Sequence, residues 1–201
     1  MELILASQSP RRRELLERLG LHFTVRAADL DESMDAARPP AEEVARLSAE
    51  KAAAVDPGSA VVIAADTVVV LDGRVLGKPR SADEAAEMLR ALSGRAHQVM
   101  TGVTVRRGGR AETDTVVTDV HFRPLTEREI AAYVATGEPM DKAGAYGIQG
   151  LASIFVDRLD GDYYNVMGLP LCRLCRMLRA AGVEILGQAG EPDGKLEVLP
   201  L

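Results

Sequence analysis

The sequence predicts an α/β protein built on a mixed, twisted sheet with flanking helices. Strand-like and helix-like segments alternate along the chain, hairpin turns join several of the strands, and residues 60–71 are almost continuously apolar and β-branched. Such a run is typical of a central strand covered on both faces. With 201 residues, 47% of them hydrophobic, the chain can bury a core as one domain or as two small lobes that share a cleft.

The first half of the chain opens with a strand, a turn and a helix. The elements predicted there are a strand over 2–6, a helix over 10–19, a strand over 22–26, a helix from about 40 to 55, and the central strand. Gly20 favours the end of the first helix, because glycine readily adopts the left-handed conformation. Asp72-Gly73 favours a hairpin turn into a short strand at residues 75–76.

The second half contains two helix starts with the sequence pattern of a capping box, at Ser81 and at Thr126. The predicted elements are a helix from Ser81 to Gly94, strands over 97–107 and 113–122, a helix from Thr126 to Gly137, a loop over 138–150, a hairpin turning at Asp160-Gly161, a helix over 170–181 and a final short strand. Residues 1–186 are expected to form one domain. Residues 187–201 are rich in Gly, Pro and charge, which predicts a flexible tail.

Composition excludes several classes of function. The formal net charge of -6 argues against a stable nucleic-acid binder, whose affinity comes from a basic surface. No apolar run is long enough to cross a bilayer, and the first residues form neither a basic region nor a long apolar stretch, so no membrane association is expected. We therefore expect a cytoplasmic protein.

Cys172 and Cys175 form the one C-x-x-C pattern of the chain. This pattern suits a redox pair or half of a zinc site, but the second half of a zinc site is missing because the three histidines are isolated from one another in sequence. The apolar pattern around the pair favours a packing role within the last helix.

The segment from Ser7 to Arg13 breaks a local rule. Ser9 suits the position before a helix and Pro10 its first residue, but three arginines then crowd a helix start, where the dipole favours negative charge. A phosphate at this junction would be bound by backbone N–H groups, serine hydroxyls and guanidinium groups together. The alternative is that the arginines point into solvent.

Three further places hold a polar residue where packing alone would not choose one. Lys51 shares a helical face with Leu47, so it either snorkels to the edge or reaches into a phosphate site. Asp66, followed by Thr67, lies within the most apolar strand, where a buried carboxylate needs a cation, a metal, donors or a cleft. Lys78 follows the hairpin strand and gains meaning only together with the others.

Taken together, these residues provide what phosphoryl chemistry needs. Carboxylates, here Asp66 and Glu32 of an acidic loop, hold Mg²⁺, cations neutralise phosphate oxygens, and a carboxylate orients or deprotonates water. Neither the phosphate-binding sequence G-x-x-x-x-G-K-[ST] nor the dinucleotide-binding sequence G-x-G-x-x-G occurs, which excludes those two standard nucleotide sites.

Five blocks of the chain resemble the Maf family in order and spacing. They are LASQSPRR at 5–12, ADTVV at 65–69, GKPR at 77–80, LSGRAH at 92–97 and DKAGAYGIQG at 141–150. The resemblance runs from residue 3 to about residue 181. It implies an α/β fold similar to that of inosine triphosphate pyrophosphatases, with two lobes around a cleft, commonly as a homodimer.

The same resemblance implies a hydrolase that splits nucleoside triphosphates between the α- and β-phosphates with Mg²⁺ or another divalent cation such as Mn²⁺. Asp66 would be the general base or a metal ligand, and Glu32 the second acid for the metal. The residues implied in binding the triphosphate are Ser7, Ser9, Arg12, Lys51 and Lys78, and those implied in substrate choice are Arg11, Thr67 and Gln149.

The block at 141–150 resembles the Maf branch that acts on dTTP and UTP, with modified pyrimidine triphosphates as further substrates and a house-cleaning role. The amide of Gln149 offers a donor and an acceptor, as the edge of uracil or thymine requires. Two alternatives stay open: hydrolysis of 7-methyl-GTP or purine triphosphates, and a non-catalytic nucleotide sensor linked to septum formation.

Overall fold

The computed structural model describes residues 2–27, 30–35 and 37–186. Its strands are β1 (Leu3–Leu5), β2 (Thr24–Val25), β3 (Val61–Leu71), β4 (Arg74–Leu76), β5 (Ala96–Arg107), β6 (Arg110–Phe122) and β7 (Val156–Asp160). Its α-helices are α1 (Pro10–Arg18), α2 (Pro40–Ala53), α3 (Ala82–Leu92), α4 (Glu127–Ala135), α5 (Tyr163–Val166) and α6 (Leu171–Ala180). Three 3-10 helices cover Glu138–Asp141, Ala143–Ala145 and Leu151–Phe155.

The strands form one mixed sheet in the order β2-β1-β3-β5-β6-β7, with β4 also paired to β3. β1 runs parallel to β2 and β3, and the remaining pairs are antiparallel. Asp72 and Gly73 both adopt positive φ angles in the β3–β4 turn, as a two-residue hairpin requires. The predicted central strand and its hairpin are confirmed.

The two edges of β3 are covered differently. β5 pairs with β3 along nearly its whole length, from Val61 to Val70. On the other edge, β1 pairs with residues 61–63 and β4 with residues 69–71. On this second edge, the stretch between β1 and β4, which contains Asp66 and Thr67, therefore has no strand beside it among the described residues.

The hydrophobic core divides at the same place. On one face of β3, odd-numbered residues from 61 to 65 pack with α1 and α6, whereas those at 69 and 71 pack with α3 and α4. On the other face, residues 62 and 64 pack with the end of α2, and residues 68 and 70 pack with its start. Both divisions fall at Asp66 and Thr67, so a continuous sheet carries two lobes. The predicted fold class is confirmed.

α2 lies unusually close to the sheet at Gly102. A Cβ atom at this position would overlap the carbonyl of Val44 in α2, so only glycine allows this approach. Gly102 is paired with Asp66 across β3 and β5. The close approach therefore sets the distance between α2 and the centre of β3.

The structure corrects the predicted path after β7. Instead of a hairpin at Asp160-Gly161, β7 is followed by the short helix α5, which begins where the carboxylate of Asp162 accepts the N–H groups of Tyr164 and Asn165. Residues 181–186 form no strand, so the predicted final strand is absent from the described residues. The predicted loop over 138–150 contains two of the 3-10 helices.

The packing role predicted for the cysteines is wrong for Cys172, which is exposed, while Cys175 is half-buried. The packed face of α6 consists instead of Leu171, Leu174, Met177 and Leu178. No helix in the described ranges is long and apolar enough to cross a membrane. The predicted tail over 187–201 lies outside the described residues, and the domain boundary at residue 186 stays a prediction.

Candidate active site

A cleft of about 1020 Å3 opens at the uncovered edge of β3. Three parts of the chain line most of it: the segment from the end of β1 to the first turn of α1, the middle of β3, and residues 138–150. The cleft also brings together all ten residues that the sequence singles out: Ser7, Ser9, Arg11, Arg12, Glu32, Lys51, Asp66, Thr67, Lys78 and Gln149.

In this cleft, Lys51 lies between two carboxylates. Its Nζ is 2.7 Å from Oδ1 of Asp66 and 2.8 Å from Oε1 of Glu32. The side chains of Lys51 and Asp66 are each 12% exposed, whereas that of Glu32 is 60% exposed. The amine therefore reaches into the cleft rather than to the outer surface, and it neutralises the carboxylate that the apolar strand would otherwise leave unpaired.

The carboxylates of Glu32 and Asp66 are suitable ligands for a divalent metal. The group contains two carboxylates and one ammonium, so it remains net negative with Lys51 in place. Within residues 2–27, 30–35 and 37–186, no three His, Cys, Asp or Glu side chains converge as a metal-binding cluster. Mg²⁺ commonly binds to one or two carboxylates and takes its other ligands from substrate phosphates and water. Glu32 and Asp66 fit this ion when a phosphate is present.

Arg12 is held from three sides. Its Nε donates to the carbonyl of Gly168 at 2.8 Å, one terminal nitrogen donates to Oγ of Ser7 at 3.1 Å, and the other donates to Oγ1 of Thr67 at 3.0 Å. The hydroxyl of Thr67 lies 2.9 Å from that of Thr101. A planar guanidinium thus connects the segment after β1, the middle of β3 and the turn before α6 into one wall of the cleft.

The charge of Arg12 lacks a direct counterion. The residue is 9% exposed, and no carboxylate lies within ion-pair distance of it in the described part of the chain. Burial lowers the pKa of its guanidinium, and the charge of nearby Asp66 acts in the opposite direction. An anion in the cleft would relieve this unfavourable burial, because a buried cation is costly without a partner.

The remaining predicted residues lie around the same cleft. Arg11 is 3.6 Å from the carboxylate of Asp141. Lys78 and Gln149 are exposed, and they are free of ion pairs and side-chain hydrogen bonds to other described residues. The third arginine of the sequence cluster, Arg13, lines a separate surface depression, so the helix start contributes two arginines to the cleft rather than three.

The profile of the family described as Maf-like protein matches residues 2–181. The chain belongs to the Maf family. It is 57% identical over 184 residues to a dTTP/UTP pyrophosphatase of Anaeromyxobacter dehalogenans (strain 2CP-C), covering 90% of this chain and 94% of the relative. It is 50% identical over 184 residues to the dTTP/UTP pyrophosphatase of Bacillus pumilus (strain SAFR-032), covering 90% and 97%.

Among solved structures, the chain is similar to the Staphylococcus aureus Ham1 protein, with a TM-score of 0.44 and 16% identity over 61% of this chain and 72% of that one. It is also similar to a HAM1 protein from Coxiella burnetii, with a TM-score of 0.43 and 16% identity over 77% and 91%.

Several residues that shape the cleft of this Maf-family protein were not singled out from the sequence. Glu138, Lys142 and Tyr146 line it, and Gly168 supplies the carbonyl that Arg12 binds. Gly168 has a φ of +100°. The local sequence signal that could have marked it is a glycine directly before the Leu-Pro pair that precedes α6. Glu138 gave no signal of its own, because its contacts depend on tertiary packing.

Beneath the cleft, His97 is buried in the Maf-family fold at 3% exposure. Its Nε2 lies 2.8 Å from the hydroxyl of Tyr146, and its Nδ1 has no partner among the described residues. Burial, with a smaller contribution from the neighbouring His121, lowers the pKa of His97 from 6.5 to about 4. His97 is therefore neutral near pH 7.

The stability of the protein is expected to depend on His97 below pH 6.5. The unfolded chain takes up a proton at this histidine near pH 6.5, but the folded protein does so only near pH 4. The free energy of unfolding should therefore fall between these values as the pH falls, by up to about 3 kcal/mol, and stay constant above them. When the free energy of unfolding is measured in urea at several pH values across this range, it should change more steeply with pH for the wild type than for His97→Gln. Equal slopes would contradict the buried, neutral state.

Proposed function

We propose that this protein is a nucleoside triphosphate pyrophosphatase that hydrolyses dTTP and UTP to the nucleoside monophosphate and pyrophosphate. The observation that carries the proposal is the pairing of Asp66 with Lys51 in the same cleft as the buried Arg12, which no carboxylate of the described residues approaches within ion-pair distance. This combination places a carboxylate base next to a position where an anion is favoured. Relatives at 50% and 57% identity bear the name dTTP/UTP pyrophosphatase, which supports the same reaction here.

In the proposed mechanism, Asp66 orients the attacking water and accepts its proton. Its Oδ1 is held by Lys51, which fixes the carboxylate and leaves the other oxygen to act as the base. The water attacks the α-phosphorus, the bond to the oxygen bridging the α- and β-phosphates breaks, and pyrophosphate leaves. Mg²⁺, held by Glu32 and Asp66 with the substrate, would supply positive charge to the phosphate oxygens.

The triphosphate is proposed to lie against the wall made by the start of α1. Arg12, Ser7 and Ser9 face the cleft there, and Ser9 immediately precedes α1 with its hydroxyl unused as a cap. Lys51 and Lys78 add positive charge from α2 and from the end of β4. These groups stabilise charge that builds on the leaving pyrophosphate.

Selection of the nucleobase is proposed to depend on Gln149, Arg11 and Thr67. The amide oxygen of Gln149 can accept the N–H of uracil or thymine, and its NH2 group can donate to a carbonyl oxygen of the same base. Thr67 acts differently, because its hydroxyl is already engaged by Arg12 and Thr101. It contributes the shape of the cleft floor rather than a free donor.

Replacing Gln149 by alanine tests the choice of base. Gln149→Ala should lower kcat/KM for dTTP and UTP by about tenfold or more, because two hydrogen bonds to the base are lost, and should change purine triphosphate hydrolysis little. Pyrophosphate release is measured over a panel of pyrimidine, modified pyrimidine, purine and 7-methyl-GTP substrates, with Mg²⁺ and with chelator.

The outcome of this panel separates the remaining candidates. Comparable wild-type rates on purine and pyrimidine triphosphates would contradict the assignment of a pyrimidine substrate. A preference for 7-methyl-GTP would make that nucleotide the assigned substrate instead. Nucleotide binding without pyrophosphate release would favour a sensor linked to septum formation. The homodimer, the cytoplasmic location and the house-cleaning role stay predictions.

A further inference from the structure

The backbone that presents Gln149 is held on one side by a hydrogen bond to the side chain of Glu138 and on the other by the buried side chain of Ile148. We define the Gln149 loop as residues 147–151, which follow Tyr146 and end at the first residue of the 3-10 helix Leu151–Phe155. Gln149 itself is exposed in the cleft, so its own side chain does nothing to fix the loop. Its position must come from contacts on either side of it.

The carboxylate of Glu138 makes two hydrogen bonds that fix the loop. One oxygen accepts the hydroxyl hydrogen of Tyr133 at 3.0 Å, and the other accepts the backbone N–H of Leu151 at 3.0 Å. Tyr133 is 3% exposed on α4, and its ring packs edge-on against Phe155. Glu138 thus connects a rigid, buried point of the core to the backbone two residues after Gln149.

Two glycines of the loop make room for this fastening. A Cβ atom at Gly150 would overlap the Glu138 carboxylate, and one at Gly147 would lie 2.6 Å from Cε of Lys142. The backbone therefore packs directly on both side chains. Lys142 in turn donates to the carbonyl of Glu138 at 2.7 Å and to Asp141 at 2.6 Å.

The chemistry of the pair keeps these bonds in place near neutral pH. Burial, followed by the hydrogen bond to Glu138, raises the pKa of Tyr133 well above its ordinary value, so its hydroxyl stays a donor. No lysine or arginine lies within ion-pair distance of the Glu138 carboxylate in the described residues. Both of its oxygens accept hydrogen bonds from neutral donors, and hydrogen bonds to a carboxylate are stronger than those between neutral groups.

We propose that Glu138 is a positioning residue for Gln149 and through it for the choice of a pyrimidine base. This inference rests on the function proposed above. A carboxylate with one hydrogen bond to the core and one to the loop fixes the position of the loop, and displacement of a substrate-positioning group lowers activity. Glu138 is not assigned any contact with the reacting phosphates.

The test uses the 201-residue chain and compares Glu138→Ala with Glu138→Gln. Alanine removes both bonds. Glutamine retains them in another form, because its oxygen accepts from Leu151 and its amide donates to the Tyr133 oxygen. Glu127→Ala is the matched control, since Glu127 is an exposed glutamate of neighbouring α4 that pairs with Arg90. The readouts are kcat and KM for dTTP and dGTP and the thermal midpoint of unfolding.

Glu138→Ala should lower the ratio of kcat/KM for dTTP to that for dGTP by about tenfold, mainly through KM for dTTP. Glu138→Gln should restore most of the ratio, and Glu127→Ala should leave it unchanged. In a Gln149→Ala background, Glu138→Ala should change the ratio by less than about twofold, because a residue that acts through Gln149 has nothing left to position. Gly150→Ala should repeat the defect by displacing the carboxylate.

Two results would overturn the inference in a wild type that prefers dTTP. One is an unchanged ratio in soluble, folded Glu138→Ala. The other is equal losses on dTTP and dGTP in both the Ala and the Gln variants, which indicates a general structural role. A wild type without dTTP or UTP hydrolysis would instead refute the proposed function, so the two failures are distinguishable.

Discussion

Asp66→Asn is expected to lower kcat for dTTP by about 1000-fold, the range that a general base contributes. The amide has nearly the same size as the carboxylate but accepts no proton from water and holds Lys51 less strongly than the present 2.7 Å ion pair does. At saturating Mg²⁺, KM should not rise, because the substitution removes a negative charge from a cleft that receives a polyanion. Steady-state pyrophosphate release with dTTP and UTP measures both constants.

The matched control for this prediction is Asp72→Asn. Asp72 lies just after the same strand, pairs with Arg95 at the surface, and lies outside the lining of the cleft. Its substitution should leave kcat unchanged. If Asp66→Asn turned over dTTP at the wild-type rate, the proposed mechanism would be wrong, whatever the substrate preference of the enzyme.

Arg12→Lys is expected to lower kcat/KM by about 100-fold and to destabilise the fold by about 2 kcal/mol. A lysine keeps the charge, but its single nitrogen cannot reach the Gly168 carbonyl, Ser7 and Thr67 at once, as the guanidinium does. The wall of the cleft would loosen and the fork for phosphate oxygens would be lost. Kinetics on dTTP and urea unfolding measure the two effects.

Arg13→Lys is the control, because this neighbour lies on the same turn of α1 but lines a different depression. It should retain wild-type kinetics and stability. A catalytically normal Arg12→Lys enzyme would show that charge alone suffices at this position. That result would remove Arg12 from the proposed binding site and leave it a structural role.

The local elements followed from the sequence wherever one signal dominated. The capping box at Thr126 and Glu129 is present with both of its hydrogen bonds, and β3 corresponds to the long apolar run within one residue at its start. The prediction failed at Asp160-Gly161, where two local signals competed. The dipeptide favours a turn between strands, but Asp162 caps a helix instead, and packing decided between them.

Several candidate residues of the site came from the sequence because they break a local rule, whereas Gln149 and the roles of Arg11 and Thr67 in substrate choice came from the family resemblance. Asp66 interrupts an apolar strand, and Lys51 lies on a packed helical face. Burying either charge alone is costly, so a partner had to exist. The sequence could not name that partner, nor could it show that Arg12 binds a carbonyl 156 residues away.

The order of amino acids was enough to predict the α/β fold class, its central strand and the polar residues that do not suit simple packing. Where those residues meet depends on tertiary contacts. β1 and β4 are too short to cover the middle of β3, and Gly102 lets α2 approach closely enough for Lys51 to reach Asp66. Strand length, register and glycine contacts act between distant segments, and such contacts leave no periodic pattern in the sequence.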